Sequence, residues 1–269
     1  MGWRDILVFA DGSEDGLARA RMAKEIADAH KAHLEVAVLA PAPAKPATAR
    51  TEALAPAERA VAQLRDLVGS GAPGGVSVHV LECVPEETRF AAARAARTAD
   101  LVIFGKPEKF DDSELDTDIF VGAIMEGGRP CLMLPRWINP RAWGKRGLIW
   151  WKGEPESARA VQGALPFLSA AEKVRVTVAN PRGQREGEDE RSLERLATYL
   201  LRHGVDIEET VARTSWEGSE YMIQSAIDGF NADFMVLGAY EGSRLVEDIF
   251  GGVTAKVVHD TQIPVLMAH

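Results

Sequence analysis

The chain has 269 residues, 46% of them hydrophobic and 26% charged, with 24 Gly and 14 Pro. This is the composition of a folded globular chain, long enough for one large or two medium domains. Its net charge of −9, from 31 Lys and Arg against 40 Asp and Glu, gives no global attraction for nucleic acid or an anionic membrane, and neither is expected as a partner.

Cys83 and Cys131 lie far apart and form no Cys-x-x-Cys pair, which excludes a disulfide framework and a thiolate zinc site. The opening Met1-Gly2-Trp3-Arg4-Asp5 lacks the basic segment and apolar stretch of a signal peptide, and no run approaches the roughly 18 apolar residues of a membrane span. A cytoplasmic protein is expected.

In chain order, Ile6–Ala10 is an apolar run stopped by Asp11-Gly12-Ser13, and an alanine-rich helical stretch follows from about Glu14 to Ala32. His33–Leu39 alternates like a strand, and Ala57, Ala60, Val61, Leu64, Leu67 and Val68 form one apolar helical stripe. Val76–Cys83 alternates again. Leu101–Phe104 and Cys131–Leu134 are short apolar runs.

The same series then repeats. Gly147–Trp151 is stopped by Lys152-Gly153-Glu154, and a helix is expected over Pro155–Leu168. Val174–Val178 is strand-like, and Leu193, Leu196, Ala197, Leu200 and Leu201 form a second stripe. Thr98–Gly105 matches Asn231–Gly238 at an offset of 133 (238 minus 105), and Arg129–Leu134 matches Ile263–Ala268 at 134 (264 minus 130). One shared pentad would be chance; an ordered series of five shared features is a duplication. Domains are expected over residues 1–138 and 145–269, with Pro140 and Gly144 in the joining stretch.

Strands alternating with helices give parallel βαβ units with right-handed crossovers. The expected fold is α/β, two tandem five-stranded open parallel sheets of the Rossmann-like kind. In such sheets ligands sit beyond the carboxyl ends of strands, where the strand order reverses. That singles out Asp11, Gly12, Ser13 and Gly105 in the first half, and Gly153 and Gly238 in the second.

On Asp11-Gly12-Ser13, on Gly238-Ala239-Tyr240-Glu241-Gly242-Ser243-Arg244-Leu245 running to Gly251-Gly252-Val253-Thr254, and on the closing Ile263–His269, the sequence resembles the universal stress protein family in its tandem form. The resemblance implies two adenine nucleotide alpha hydrolase-like domains paired as an intrachain pseudo-dimer through Cys131–Leu134 and Val265–Ala268, with a further homodimer open. It also implies an adenine nucleotide, ATP or AMP, or another small ligand, held by Asp11, Gly12, Ser13 and Gly105, and by Gly153, Gly238, Tyr240, Gly251, Gly252 and Thr254.

Nucleotide-binding members carry G-x2-G-x9-G-[ST], a loop whose glycines let backbone N–H groups approach phosphate. This chain departs from it. Gly238 and Gly251 fit the first and third glycines, but Glu241 replaces the second and Gly252 the hydroxyl residue; the acid after strand one becomes Lys152. A carboxylate about 4 Å from a phosphate charge costs roughly 4 kcal/mol at an effective dielectric near 20, about a thousandfold in affinity. Lys152 could meet a phosphate or pair with Glu241. In the first half Asp11 survives, but Lys106–Asp118 carries six acids and Pro107 removes an amide donor. The sequence admits a solvated loop or a divalent-cation site there, and it lacks the spaced Gly and Glu of a calcium loop.

Several of these features have a second reading. Asp11-Gly12-Ser13 also fits a strand-to-helix turn with a helix cap. The six histidines show no metal spacing, and His30 and His33 near a helix end suit a dipole or surface role. Cys83 and Cys131 read as buried strand thiols. Trp137, Trp143, Trp150 and Trp151 suit packing of the two halves, or ligand stacking. The functional expectation is a non-enzymatic stress-response or regulatory protein with degenerate pockets, the second the better preserved. The alternatives are a pure interaction scaffold and a nucleotide-dependent enzyme; the chain has no Walker lysine loop and no His-x-Gly-His or Ser-Gly-Gly-x-Asp-Ser signature.

Overall fold

The computed structural model describes residues 2–69, 73–107, 115–136, 143–179, 186–214, 219–239 and 260–269. The chain divides into two compact units, Met1–Ile138 and Asn139–His269.

The first unit runs β1 (Asp5–Phe9), α1 (Glu14–His30), β2 (His33–Pro41), α2 (Ala47–Val68), β3 (Val76–Cys83), α3 (Thr88–Ala96), β4 (Leu101–Gly105), α4 (Leu115–Val121) and β5 (Cys131–Leu134). Its strands lie in the order β3-β2-β1-β4-β5, all parallel. The second runs β6 (Arg146–Trp151), α5 (Pro155–Leu168), β7 (Lys173–Ala179), α6 (Glu186–Arg202), β8 (Ile207–Thr214), α7 (Ser219–Phe230), β9 (Phe234–Gly238) and β10 (Val265–Ala268). Its order, β8-β7-β6-β9-β10, is again parallel throughout. The order reverses between β1 and β4, and between β6 and β9.

The central strands are apolar because both of their faces are covered. Ile6 to Phe9, all of β4 and β5, and Gly147 to Trp151 are buried. α1 buries a stripe of small residues, Gly16, Ala20, Ala23 and Ala27, and packs on α2. α2 buries Ala57, Ala60, Val61, Leu64 and Val68. In α6 the expected stripe is narrower than its sequence suggests. Leu196 and Leu200 are buried, whereas Leu201, one residue (about 100°) further round the helix, is 63% exposed.

Trp143 stacks edge-on against Phe167 and Phe234, with ring centres 5.1 and 6.2 Å away, and Trp150 is buried in β6, so both make packing contacts within the second unit. Trp137 lies outside the described residues. His30 is half-buried against the Trp3 ring, which lowers its pKa by desolvation, so it packs rather than lying free at the surface. Cys83 and Cys131 are buried free thiols, and burial raises both pKa values.

The duplicated Thr98–Gly105 and Asn231–Gly238 segments share one structural device. Asp100 accepts hydrogen bonds from the backbone N–H groups of Arg4 (2.7 Å) and Asp5 (3.1 Å) at the start of β1. Asp233 accepts from Gly144 (3.1 Å), Lys145 (3.0 Å) and Arg146 (3.0 Å) at the start of β6. In each unit the fourth strand enters the sheet with a carboxylate that fixes the first strand's leading amides.

Candidate functional site

In the first unit the loop after β1 is built around Ser13. Its hydroxyl accepts from Gly16 N–H at 3.0 Å and caps α1, the job serine does best at that position. The same hydroxyl donates to Asp11, whose Oδ1 also accepts from Ser13 N–H at 3.2 Å. Gly16 is glycine for want of space: a Cβ there would stand 2.0 Å from Asp11 Oδ1.

Across the switch point, Gly105 ends β4, and a Cβ on it would lie 1.9 Å from Nη1 of Arg19. The Arg19 guanidinium therefore lies over the glycine, and its Nε donates to the Phe9 carbonyl at 2.7 Å. Burial lowers the Arg19 pKa, while Asp116, Asp11 and Asp15 act to raise it and Arg136 to lower it further. Arg136 pairs with Asp15 at 3.1 Å. The hollow left here measures about 190 Å³, and among the described residues its charged lining is balanced, Asp11, Asp15 and Asp116 against Arg19, Lys106 and Arg136. Asp118 receives a hydrogen bond from Thr88. Residues 108–114 of the acidic loop are outside the described residues. Among the described residues no three His, Cys, Asp or Glu side chains gather as metal ligands.

The second unit repeats the strand order with different residues at the strand ends. At the helix offset of 141 (155 minus 14), Arg19 corresponds to Ala160, which is fully buried. Lys152 stands at the place of Asp11, and Gly153 takes φ +78°, a left-handed turn that favours glycine. Glu154 precedes α5 but makes no side-chain cap, and Pro155 supplies the first helical residue. Gly238 ends β9 against the start of α5, where a Cβ would meet Ser157 N at 2.6 Å and the Glu156 carbonyl carbon at 2.8 Å. The structure thus brings Asp11, Gly12 and Ser13 to one strand-end and Gly105 to the next, and does the same with Gly153 and Gly238. Tyr240, Gly251, Gly252 and Thr254, together with Glu241, lie outside the described residues.

Whereas α1 packs on α2, a hollow of about 930 Å³ opens between α5 and α6. Trp151, Lys152 and Gly153 form one end, and Arg191, Arg195 and Tyr199 of α6 line its side. The Trp151 indole N–H donates to the Ser192 hydroxyl at 3.0 Å, tying α6 to the end of β6.

Sequence reasoning missed Arg19 and the α6 arginines. The signal for Arg19 is a charge one turn from Gly16 and Ala23, on a stripe that is otherwise small and buried. That for Arg191 and Arg195 is a like-charge pair four residues apart.

Two units of five parallel strands each, with the same strand order and glycine-terminated fourth strands, define a tandem α/β protein of the Rossmann-like class. Residues 2–110 match the model of the universal stress protein family. That match covers most of the first unit, and the second unit repeats the same strand order. A universal stress protein from Archaeoglobus fulgidus is similar over 98% of this chain and 96% of its own, at 14% identity and a TM-score of 0.77. A functionally unknown protein from Pseudomonas aeruginosa is similar over 98% and 92%, at 20% identity and a TM-score of 0.63. A universal stress protein solved in complex with cAMP covers 51% of this chain and 99% of its own, at 16% identity and a TM-score of 0.39. No curated protein matches the chain in sequence. Among the described residues no helix is long and apolar enough to cross a membrane.

Proposed function

We propose that this chain is a non-enzymatic regulatory protein of the universal stress type, in which the strand-end loops of the second unit hold a small ligand while those of the first have become structural. An adenine nucleotide is the first candidate. The observation that carries the reading is the contrast at one helix position: the Arg19 guanidinium covers Gly105 in the first unit, whereas the corresponding residue of α5 is the uncharged Ala160, and Gly238 lies against the backbone of Glu156 and Ser157. Lys152 adds a cation at the β6 end, where an anionic ligand would gain from it.

The non-enzymatic part rests on what the polar groups are already doing. Asp11 holds Ser13, the Ser13 hydroxyl caps α1, and both thiols are buried with raised pKa values. A nucleophile needs the opposite: exposure, and a base that takes its proton.

Calorimetric titration of ATP, ADP and AMP, with and without Mg²⁺, tests the reading. The expected result is a single nucleotide site per chain, whose affinity rises at least tenfold in Glu241→Gly, as removal of a carboxylate from a phosphate's surroundings requires. Lys152→Asp alone should leave the affinity unchanged or weaken it. Two sites per chain would overturn the assignment of the first unit as closed. The absence of binding at millimolar concentration would instead make the protein an interaction scaffold.

A further inference from the structure

β3 is the outermost strand of the first unit and pairs, among the described residues, with β2 alone. Its register runs unbroken from Leu34 opposite Val76 to Pro41 opposite Cys83. The strand reads Val76-Ser77-Val78-His79-Val80-Leu81-Glu82-Cys83, rich in β-branched residues and without proline. A regular strand of this kind at a sheet edge is a template for a further strand.

The ladder shows which of its groups are open. The Leu34 N–H donates to the Gly75 carbonyl at 3.0 Å, and the Ala42 N–H to the Cys83 carbonyl at 2.9 Å. Alternate residues of a parallel strand face the same neighbour, so Ser77, His79 and Leu81 also turn toward β2. Val76, Val78, Val80 and Glu82 turn their N–H and C=O groups to the open edge.

Two arginines of α2 stand at that edge. Arg65 Nη2 donates to the Val78 carbonyl at 2.9 Å, in the middle of the open row. Arg50 grips the Glu82 carboxylate through Nε and Nη2, at 2.5 and 2.6 Å, and so pins the other end of α2 beside the same strand. An incoming strand needs the carbonyl that Arg65 holds and the space that its guanidinium fills.

The second unit supplies the contrast. Its outermost strand, β8, pairs with β7 through two register shifts, between Val174 and Arg175 and between Thr177 and Ala179. Irregular pairing blunts an edge by itself. Each helix beside an outer strand has a fully buried leucine in its C-terminal part, Leu64 in α2 and Leu200 in α6. The next residue is Arg65 in the first and the exposed Leu201 in the second. The charge stands on the helix of the regular edge, and an apolar residue takes that place on the helix of the broken one.

We propose that Arg65 is an edge guard: by holding the Val78 carbonyl it keeps β3 from pairing with β3 of a second copy of this chain. A second copy is the partner because it brings an identical regular row of open groups, which a two-fold axis sets against the first. The guard is independent of any ligand at the strand-end loops.

Sedimentation velocity of the full-length chain over a range of concentrations tests the proposal. Arg65→Met keeps the apolar stem and removes the donors. Its self-association constant is expected to exceed that of wild type by about tenfold or more, the worth of one hydrogen bond from a charged group. Val80→Pro removes an outward N–H and no bond to β2, so adding it to Arg65→Met should restore wild-type association. Hydrogen exchange supplies a second readout. In associated Arg65→Met, residues 76–83 should exchange more slowly than in wild type, the reverse of what a merely loosened edge would show. Wild-type association in Arg65→Met, or association that persists with Val80→Pro, would overturn the proposal. Circular dichroism melts report whether each variant folds. If Val80→Pro does not, exchange decides alone: slower exchange along β3 supports the guard, and equal or faster exchange overturns it.

Discussion

Arg19 illustrates how one side chain can settle the fate of a pocket. Its guanidinium lies where the end of β4 would otherwise face open space, and Gly105 is glycine because that guanidinium is there. Placing a Cβ on Gly105 forces the arginine aside, and removing the arginine strips a charged donor from the Phe9 carbonyl and a counter-charge from Asp11, Asp15 and Asp116. Gly105→Ala and Arg19→Met should each cost about 1–3 kcal/mol in urea denaturation. Since both act on one contact, the double variant should cost at least ~1 kcal/mol less than their sum. Additive costs would show that the glycine and the arginine are independent. Asp11 and Ser13 were legible in the sequence as a turn that either caps or binds; the structure assigns Ser13 to the cap. Arg19 was not legible, because its role depends on Gly105, 86 residues away (105 minus 19), and no local pattern links the two.

At the scale of the elements, periodicity carries far. The apolar pentads at the starts of the two halves are strands buried on both faces, Cys131–Leu134 and Val265–Ala268 are strands with those same ends, and Pro155–Leu168 is a helix between those residues. What periodicity overstates is the width of a buried face. Leu201 continues the α6 stripe in sequence yet is exposed, since it leaves the helix about 100° round from the buried Leu200. The spacing between neighbouring helices is equally hidden, and the α5–α6 groove exists only because of it. The two strand-to-helix loops also reach the same turn by different chemistry. The first uses the Ser13 cap, and the second uses the left-handed Gly153 followed by Pro155. Ser13→Ala should therefore cost about 1 kcal/mol, while Glu154→Ala, at the same position in the second unit, should change stability by less than about 0.5 kcal/mol. Gly153→Ala should cost about 1–2 kcal/mol, from left-handed strain. Chemical denaturation of the three variants checks the ranking, and an equal loss at Ser13 and Glu154 would contradict it.

For the whole molecule, the repeat matters more than any single element, because the two copies share a frame and differ at the strand ends. The offset of 133 that pairs Gly105 with Gly238 also pairs Asp100 with Asp233, and both carboxylates clamp the leading amides of their unit's first strand. The strand-end positions differ by contrast: Asp11 corresponds to Lys152, Ser13 to Glu154, and Arg19 to Ala160 across the same pair of loops and helices. Framework residues answer to backbone geometry, which both copies share, whereas pocket residues answer to a ligand, which the two copies need not share. The clamps should then be measurably structural. Asp100→Ala leaves the Arg4 and Asp5 amides without their carboxylate, and Asp233→Ala leaves three amides, those of Gly144, Lys145 and Arg146. Charge-assisted bonds to partly exposed amides contribute about 1 kcal/mol in sum for the first and about 2 kcal/mol for the second. Hydrogen exchange read by mass spectrometry should show faster exchange along β1 and β4 in Asp100→Ala, and a larger effect along β6 and β9 in Asp233→Ala. If instead both variants exchange like wild type at these strands, the shared aspartate is a relic of the duplication, and the first strands are held by sheet pairing alone.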